Sequence, residues 1–86
     1  MATGWLYGRV KGISTSTTCD VEVINVKTLN LTKSSGEDYW DYSTILEEGD
    51  YSVKAIDTTS GAGGNNETKP ATVDADQPTR LDFDIS

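Results

Sequence analysis

The chain has 86 residues, with 14 acidic and seven basic side chains and a net charge of −7 at pH 7. It has no histidine and one cysteine, which excludes Ser-His-Asp and Cys-His catalysis, His-ligated zinc, an internal disulfide and a cysteine-based metal cluster. Its acidity argues against binding to nucleic-acid phosphates. No apolar run is longer than Trp5-Leu6-Tyr7, which is too short for a transmembrane helix or a signal-peptide core.

The apolar residues are mostly β-branched or aromatic and alternate with polar residues, which is typical of strands with one buried face. Four strands are predicted in the first half of the chain, the first over roughly residues 5–12. Their inward residues are Leu6 and Val10 (interleaved with Gly8 and Gly12), then Cys19, Val21 and Val23, then Leu29 and Leu31, and finally Trp40, Tyr42 and Leu46. A Ser-Ser-Gly-Glu-Asp turn signal at 34–38 separates the third strand from the fourth.

Three further strands are predicted in the second half, and the last is the strictly alternating run 79–85. Their inward residues are Tyr51, Val53 and Ala55, then Ala71 and Val73, then Leu81, Phe83 and Ile85. Pro70 suggests that the sixth strand lies at a sheet edge, because proline cannot donate a ladder hydrogen bond. The polar, glycine-rich stretch 58–67 predicts a flexible surface loop. About seven short strands and no amphipathic helix predict one all-β domain over 1–86, a sandwich of two antiparallel sheets.

Four segments of the sequence carry a family resemblance. They are Gly8-Arg9-Val10-Lys11-Gly12, Val21-Glu22-Val23-Ile24-Asn25, the Leu-x-x-Gly-x-Tyr-x-Val-x-Ala run from Leu46 to Ala55, and the run 72–83. In these segments the chain resembles the carboxypeptidase regulatory-like domain, a transthyretin-like (prealbumin-like), Ig-like β-sandwich related in fold to collagen-adhesin B-type domains. The resemblance implies the fold and no particular activity. Within the central motif, Gly49 allows a positive φ in a tight turn.

The first strand is predicted to place aromatic side chains on its outward face. If Leu6 and Val10 point inward, then Trp5, Tyr7 and Arg9 point outward, and Tyr39 is likewise out of phase with Trp40. Exposed aromatic residues on a small domain suggest an interface, either with protein or as a stacking platform for sugar rings. The alternative is that Trp5 folds over the end of the sandwich and completes the core.

Other candidate sites are weaker. Asp74 and Asp76 could contribute to a calcium site together with loop carbonyls, although two carboxylates are few ligands. Cys19 is expected to be a small buried hydrophobic residue, or to form an intermolecular disulfide if it lies at a strand edge. The other carboxylates, such as Asp82 and Asp84, predict a solvated acidic surface. No nucleophile–base pair is recognisable, and no cofactor or metal is expected.

These observations argue against an enzyme and favour a binding or structural module. The chain starts at Met1 close to its first strand and ends on its last strand, which favours a self-standing assembly protein. The expectation is a bacteriophage virion accessory that decorates a capsid or tail and binds other structural proteins through one sheet face. The alternative is an excised module of a secreted or cell-surface protein, acting as a spacer, adhesin or carbohydrate-binding domain. Neither role involves nucleic acid or membrane insertion.

Overall fold

The computed structural model describes residues 2–59 and 64–86, which form two four-stranded sheets packed face to face. The strands are β1 (Thr3–Lys11), β2 (Thr18–Val23), β3 (Lys27–Thr32), β4 (Tyr39–Glu47), β5 (Gly49–Asp57), β6 (Asn66–Val73), β7 (Pro78–Arg80) and β8 (Phe83–Asp84). Sheet A has the order β4-β1-β7, with β8 also beside β1, and sheet B has the order β3-β2-β5-β6. The predicted all-β sandwich is confirmed. Residues 60–63 of the predicted loop lie outside the described residues, and the described part contains no helix that could span a membrane.

Side chains from both sheets meet in one hydrophobic core, as the alternation predicts. Its buried members are Leu6, Val10, Cys19, Val21, Val23, Trp40, Tyr42, Leu46, Val53, Ala55, Ala71, Val73, Phe83 and Ile85. Gly49 has a φ of 153°, a positive value that glycine adopts readily. The turn is tight, since a single residue, Glu48, separates β4 from β5. β6 is an edge strand, as Pro70 predicts.

The inward face of β1 is built around glycine. Gly4, Gly8 and Gly12 alternate with Leu6 and Val10, and all five are buried. A Cβ at Gly12 would overlap the indole ring of Trp40, and one at Gly8 would overlap the carbonyl oxygen of Leu81. The Trp40 ring and a backbone carbonyl of the C-terminal segment therefore occupy space that side chains of β1 would otherwise fill.

Tyr42 links β4 to the segment between β7 and β8, which lies on the other side of β1. It lies opposite Gly8 in the β1–β4 register, and its hydroxyl donates a hydrogen bond to the carbonyl oxygen of Leu81 beyond β1. Burial, assisted by the negative charge of Asp82, raises the pKa of Tyr42 above its ordinary value. The phenol therefore stays protonated at neutral pH and keeps its donor.

The structure departs from the predicted C-terminal strand in two ways. The run 79–85 is divided into β7 and β8, because Leu81 and Asp82 leave the regular ladder. The Leu81 carbonyl accepts from Tyr42, and the Arg9 N–H donates instead to Oδ1 of Asp82 at 2.9 Å. Both short strands also run parallel to β1, so sheet A is mixed rather than wholly antiparallel. The parallel pairing arises because the chain reaches β1 by crossing over from sheet B.

Side chains from sheet B cover both edges of sheet A. At the β4 edge, Lys27 and Tyr51 donate to backbone carbonyls of β4 at 3.3 and 2.6 Å. At the opposite edge, Lys69 donates to the Asp82 carbonyl at 2.7 Å, and Glu67 accepts from the Asp84 N–H at 3.2 Å. These bonds satisfy backbone groups that would otherwise be open to an added strand.

The close approach at β1 predicts that Gly8→Ala is strongly destabilising. The new methyl group meets a backbone carbonyl, which cannot rotate away, so the free energy of unfolding should fall by about 3 kcal/mol, the upper end of the usual overpacking range. Urea denaturation measures the change. Ser43→Ala, an exposed substitution on the facing strand, is the control and should stay within about 0.5 kcal/mol of the parent. A Gly8→Ala protein as stable as this control would contradict the proposed packing.

Candidate functional site

The outer face of sheet A carries the aromatic residues singled out in the sequence. β1 and β4 bury their even-numbered residues, so their odd-numbered residues face solvent. Trp5 is 49% exposed, Tyr7 37% and Tyr39 46%, and Arg9 is exposed beside them. The prediction that these four side chains point outward is confirmed, and the alternative in which Trp5 completes the core is wrong. Whether they bind a partner stays a prediction.

One end of this face is apolar. The register places Trp5 between Ile45 of β4 and Pro78 of β7, and the three residues line a shallow depression of about 370 Å³. Ile45 is 48% exposed. The sequence analysis missed Ile45 and Pro78, because their proximity to Trp5 depends on strand register. Ile45 is out of phase with the inward residues of β4. It could therefore have been identified from the sequence in the same way as Tyr39.

The other end of the face combines aromatic rings with arginines. The Arg9 guanidinium carbon lies 5.3 Å from the centre of the Tyr39 ring, and Arg9 Nε donates to Asp41 Oδ1 at 2.9 Å. In the same way, the Arg80 guanidinium carbon lies 6.0 Å from the centre of the Tyr7 ring. Such cation–π contacts hold exposed side chains in place with about 0.5–1 kcal/mol each. Like Ile45 and Pro78, Arg80 was not identified from the sequence.

Exposed apolar surface is concentrated on this side of the molecule. The described residues include six exposed large hydrophobic side chains, of which only Ile13 and Val26 lie elsewhere. The other four lie on β1 and β4, and together with Arg9 they define what we call the aromatic face: Trp5, Tyr7, Arg9, Tyr39 and Ile45. The outer face of sheet B carries polar residues such as Glu22 paired with Lys54. A one-sided distribution of exposed apolar side chains is typical of interaction surfaces in small domains.

The two other predicted sites have little structural support. Among residues 2–59 and 64–86, no three side chains of His, Cys, Asp or Glu are grouped to hold a metal ion, and Asp74 and Asp76 are both exposed. Cys19 is fully buried on β2, which lies between β3 and β5, so the strand-edge condition for an intermolecular disulfide is not met. Burial raises the pKa of the Cys19 thiol to about 12, which makes it unreactive at neutral pH.

A buried polar cluster closes one end of the sandwich. Asp57 accepts hydrogen bonds from the Ser16 hydroxyl and, at 2.9 Å, from the Thr59 N–H. Burial alone would raise the pKa of Asp57, but these bonds and the nearby charge of Lys33 outweigh it and lower the pKa below its ordinary value. Every buried side-chain nitrogen or oxygen in the described part of the chain has a hydrogen-bond partner. The cluster therefore braces the fold and leaves no free group for a ligand.

The Asp57 cluster predicts a specific dependence of stability on pH. Since the folded pKa lies below the unfolded value of about 4, the carboxylate stabilises the protein above that pH, and the stabilisation is lost as pH falls through the folded pKa. Asp57→Asn should lower the free energy of unfolding by about 1–2 kcal/mol at pH 7 and by less at about pH 3. Urea denaturation at both pH values measures the gap, with the exposed substitution Asp38→Asn as control. A gap of equal size at both pH values would show that the Asp57 charge contributes nothing.

No family model and no curated protein sequence matches this chain. The similarity to the carboxypeptidase regulatory-like domain stays a prediction, and what the structure shows is a small β-sandwich. The aromatic face, rather than a relative, is therefore the feature from which a function can be inferred.

Proposed function

We propose that this protein is a non-catalytic assembly protein whose aromatic face docks onto other structural proteins of a larger particle. The observation that carries the proposal is the concentration of Trp5, Tyr7, Tyr39 and Ile45 on one sheet face. Folding normally buries such side chains, so a small domain that exposes four of them together is expected to bury them against a partner.

The residue types on the face suit a protein partner. Tryptophan, tyrosine and arginine are the residues most enriched at the energetic centres of protein interfaces. A standard interface buries about 800 Å² of each partner, which is roughly a sixth of the 4927 Å² surface of this domain. One face of the sandwich is therefore enough to form a stable contact.

The rest of the molecule suits exposure on the outside of a particle. The chain carries a net charge of −7, and the outer face of sheet B bears polar pairs such as Glu22 with Lys54. Once the aromatic face is covered, this acidic surface would remain in solvent and keep particles apart by mutual repulsion. The particle we propose is a bacteriophage virion, in which the protein decorates the capsid or the tail.

A second candidate function is favoured by the exposed rings themselves. Trp5 and Tyr7 project from the same face of β1, and exposed rings on a flat sheet can stack against sugars. In this alternative the sandwich is a module of a secreted or cell-surface protein that binds glycan or acts as a spacer or adhesin.

The docking proposal predicts that Trp5→Ala weakens binding to the particle by about 30-fold or more, the loss expected when a central interface tryptophan is truncated. The measurement is co-sedimentation of purified protein with stripped particles from the source through a density gradient, at several protein concentrations. Val26→Ala is the matched control, because Val26 is 52% exposed and lies away from the face. The control should bind like the parent.

Two results would contradict the proposal. Equal binding by the parent and by Trp5→Ala would exclude the aromatic face as the docking surface. Retardation of the parent by a polysaccharide in affinity electrophoresis, lost in Trp5→Ala, would favour the glycan-binding alternative. Thermal denaturation of each variant confirms that the sandwich is intact.

A further inference from the structure

Several basic side chains lie together at the arginine-bearing end of the aromatic face, although the protein as a whole is acidic. A surface depression of about 400 Å³ there is lined by Arg9, Lys11, Lys69 and Arg80. These are four of the seven basic residues of the chain, whereas three of its 14 acidic residues line the same depression. The chain as a whole is strongly negative, so this local excess of cations needs an explanation of its own.

The two arginines are held in place through one edge of each guanidinium. Arg9 uses Nε to bond Asp41 at 2.9 Å, and Arg80 uses Nε to bond the two oxygens of Asp82 at 3.1 and 3.0 Å. Their ring contacts with Tyr39 and Tyr7 fix them further. Within the described residues the terminal nitrogens of both groups make no hydrogen bond, so a pre-positioned set of donors faces solvent.

The carboxylates that line the depression are already engaged. Asp82 accepts from the Arg9 N–H and from Arg80, which lowers its pKa below the ordinary value. Glu67 forms an ion pair with Lys69 at 3.3 Å and accepts from the Asp84 N–H. Oδ1 of Asp84 accepts from the N–H and the hydroxyl of Ser86. The side chain of Lys11 makes no hydrogen bond or ion pair with the described residues. The available polar groups at this end are therefore donors with positive charge.

We propose that this depression binds a carboxylate group of the docking partner, an aspartate or glutamate side chain seated between Arg9 and Arg80. The proposal rests on the docking function argued above and specifies the chemistry of the partner surface. A guanidinium presents paired N–H donors that match the two oxygens of a carboxylate. The partner should thus combine an acidic residue here with an apolar patch that covers Trp5 and Ile45.

The charge of the whole molecule favours a protein carboxylate over a polyanion. A net charge of −7 repels nucleic acid or a densely charged polysaccharide at long range. A single acidic side chain on an otherwise apolar or neutral protein surface avoids this repulsion. The adjoining apolar depression at Trp5, Ile45 and Pro78 points to the same kind of partner.

The test uses a synthetic peptide with blocked termini and one glutamate among apolar residues as the probe, and backbone amide NMR shifts of the folded protein as the readout. Saturable shifts should appear at Arg9, Lys11 and Arg80 and weaken as salt is raised. Arg80→Gln should weaken the affinity about tenfold, the loss expected for one charged hydrogen-bonding group. Lys54→Gln removes one positive charge from the outer face of sheet B and is the matched control, which should bind like the parent.

Two further measurements keep the test decisive. Because Arg80→Gln also removes the Asp82 contact, Lys11→Gln serves as a second variant whose side chain braces nothing in the described structure, and it should also weaken binding. Glucuronate, which carries the same single carboxylate on a sugar, should bind more weakly than the peptide, since the site is assigned to a carboxylate with apolar protein surroundings. Stronger binding of glucuronate would overturn that assignment.

The outcomes separate this inference from the docking function. Absence of peptide-induced shifts at the depression, with particle binding still lost in Trp5→Ala, would overturn the carboxylate site and leave the docking function standing. Peptide binding that depends on Arg80, with particle binding unchanged in Trp5→Ala, would support the site and overturn the docking function. Equal peptide affinity in Arg80→Gln, Lys11→Gln and Lys54→Gln would overturn the site directly.

Discussion

The closeness of β1 to its neighbours is the constraint on which the rest of the structure depends. β1 is the central strand of sheet A, with β4 on one side and β7 and β8 on the other. Glycine at its inward positions leaves room for the Trp40 ring and for the Tyr42 side chain that crosses β1 to reach Leu81. A domain of this size has few large residues to bury, and these two rings fill much of its core.

The same strand reverses the usual arrangement of small and large residues. Its inward positions include Gly4, Gly8 and Gly12, while Trp5 and Tyr7 project outward. The large rings of β1 therefore contribute little to the core, which the side chains of β4 and sheet B fill instead. Because the hydrophobic free energy of a large side chain is gained on burial, about half of that of Trp5, which is 49% exposed, remains available for association with a partner.

Most of the fold could be predicted from the sequence, because alternation reports directly which side chains face inward. Leu6, Val21, Val53 and Phe83 are all buried as predicted. The division of the last strand could not be predicted, since it accompanies two bonds from residues distant in sequence. Tyr42 donates to the Leu81 carbonyl, and the Arg9 N–H donates to the Asp82 side chain.

Only some residues of the candidate site could be predicted from the sequence, for a related reason. Trp5, Tyr7, Arg9 and Tyr39 could be identified because each breaks the phase of its own strand or lies on the face opposite to its core residues. Arg80 and Pro78 could not, because they join the face only through the parallel pairing of β7 with β1. Cross-strand register, rather than any local pattern, assembles a surface from distant segments.

The side chains that seal the edges of sheet A also restrict the geometry of any complex. Lys27 and Tyr51 on one side and Glu67 and Lys69 on the other already bond backbone groups at the two edges of sheet A. An added strand would have to displace these side chains before it could pair there. Copies crowded on a common lattice would therefore meet more readily through the faces of sheet A than through a ladder shared along its edges.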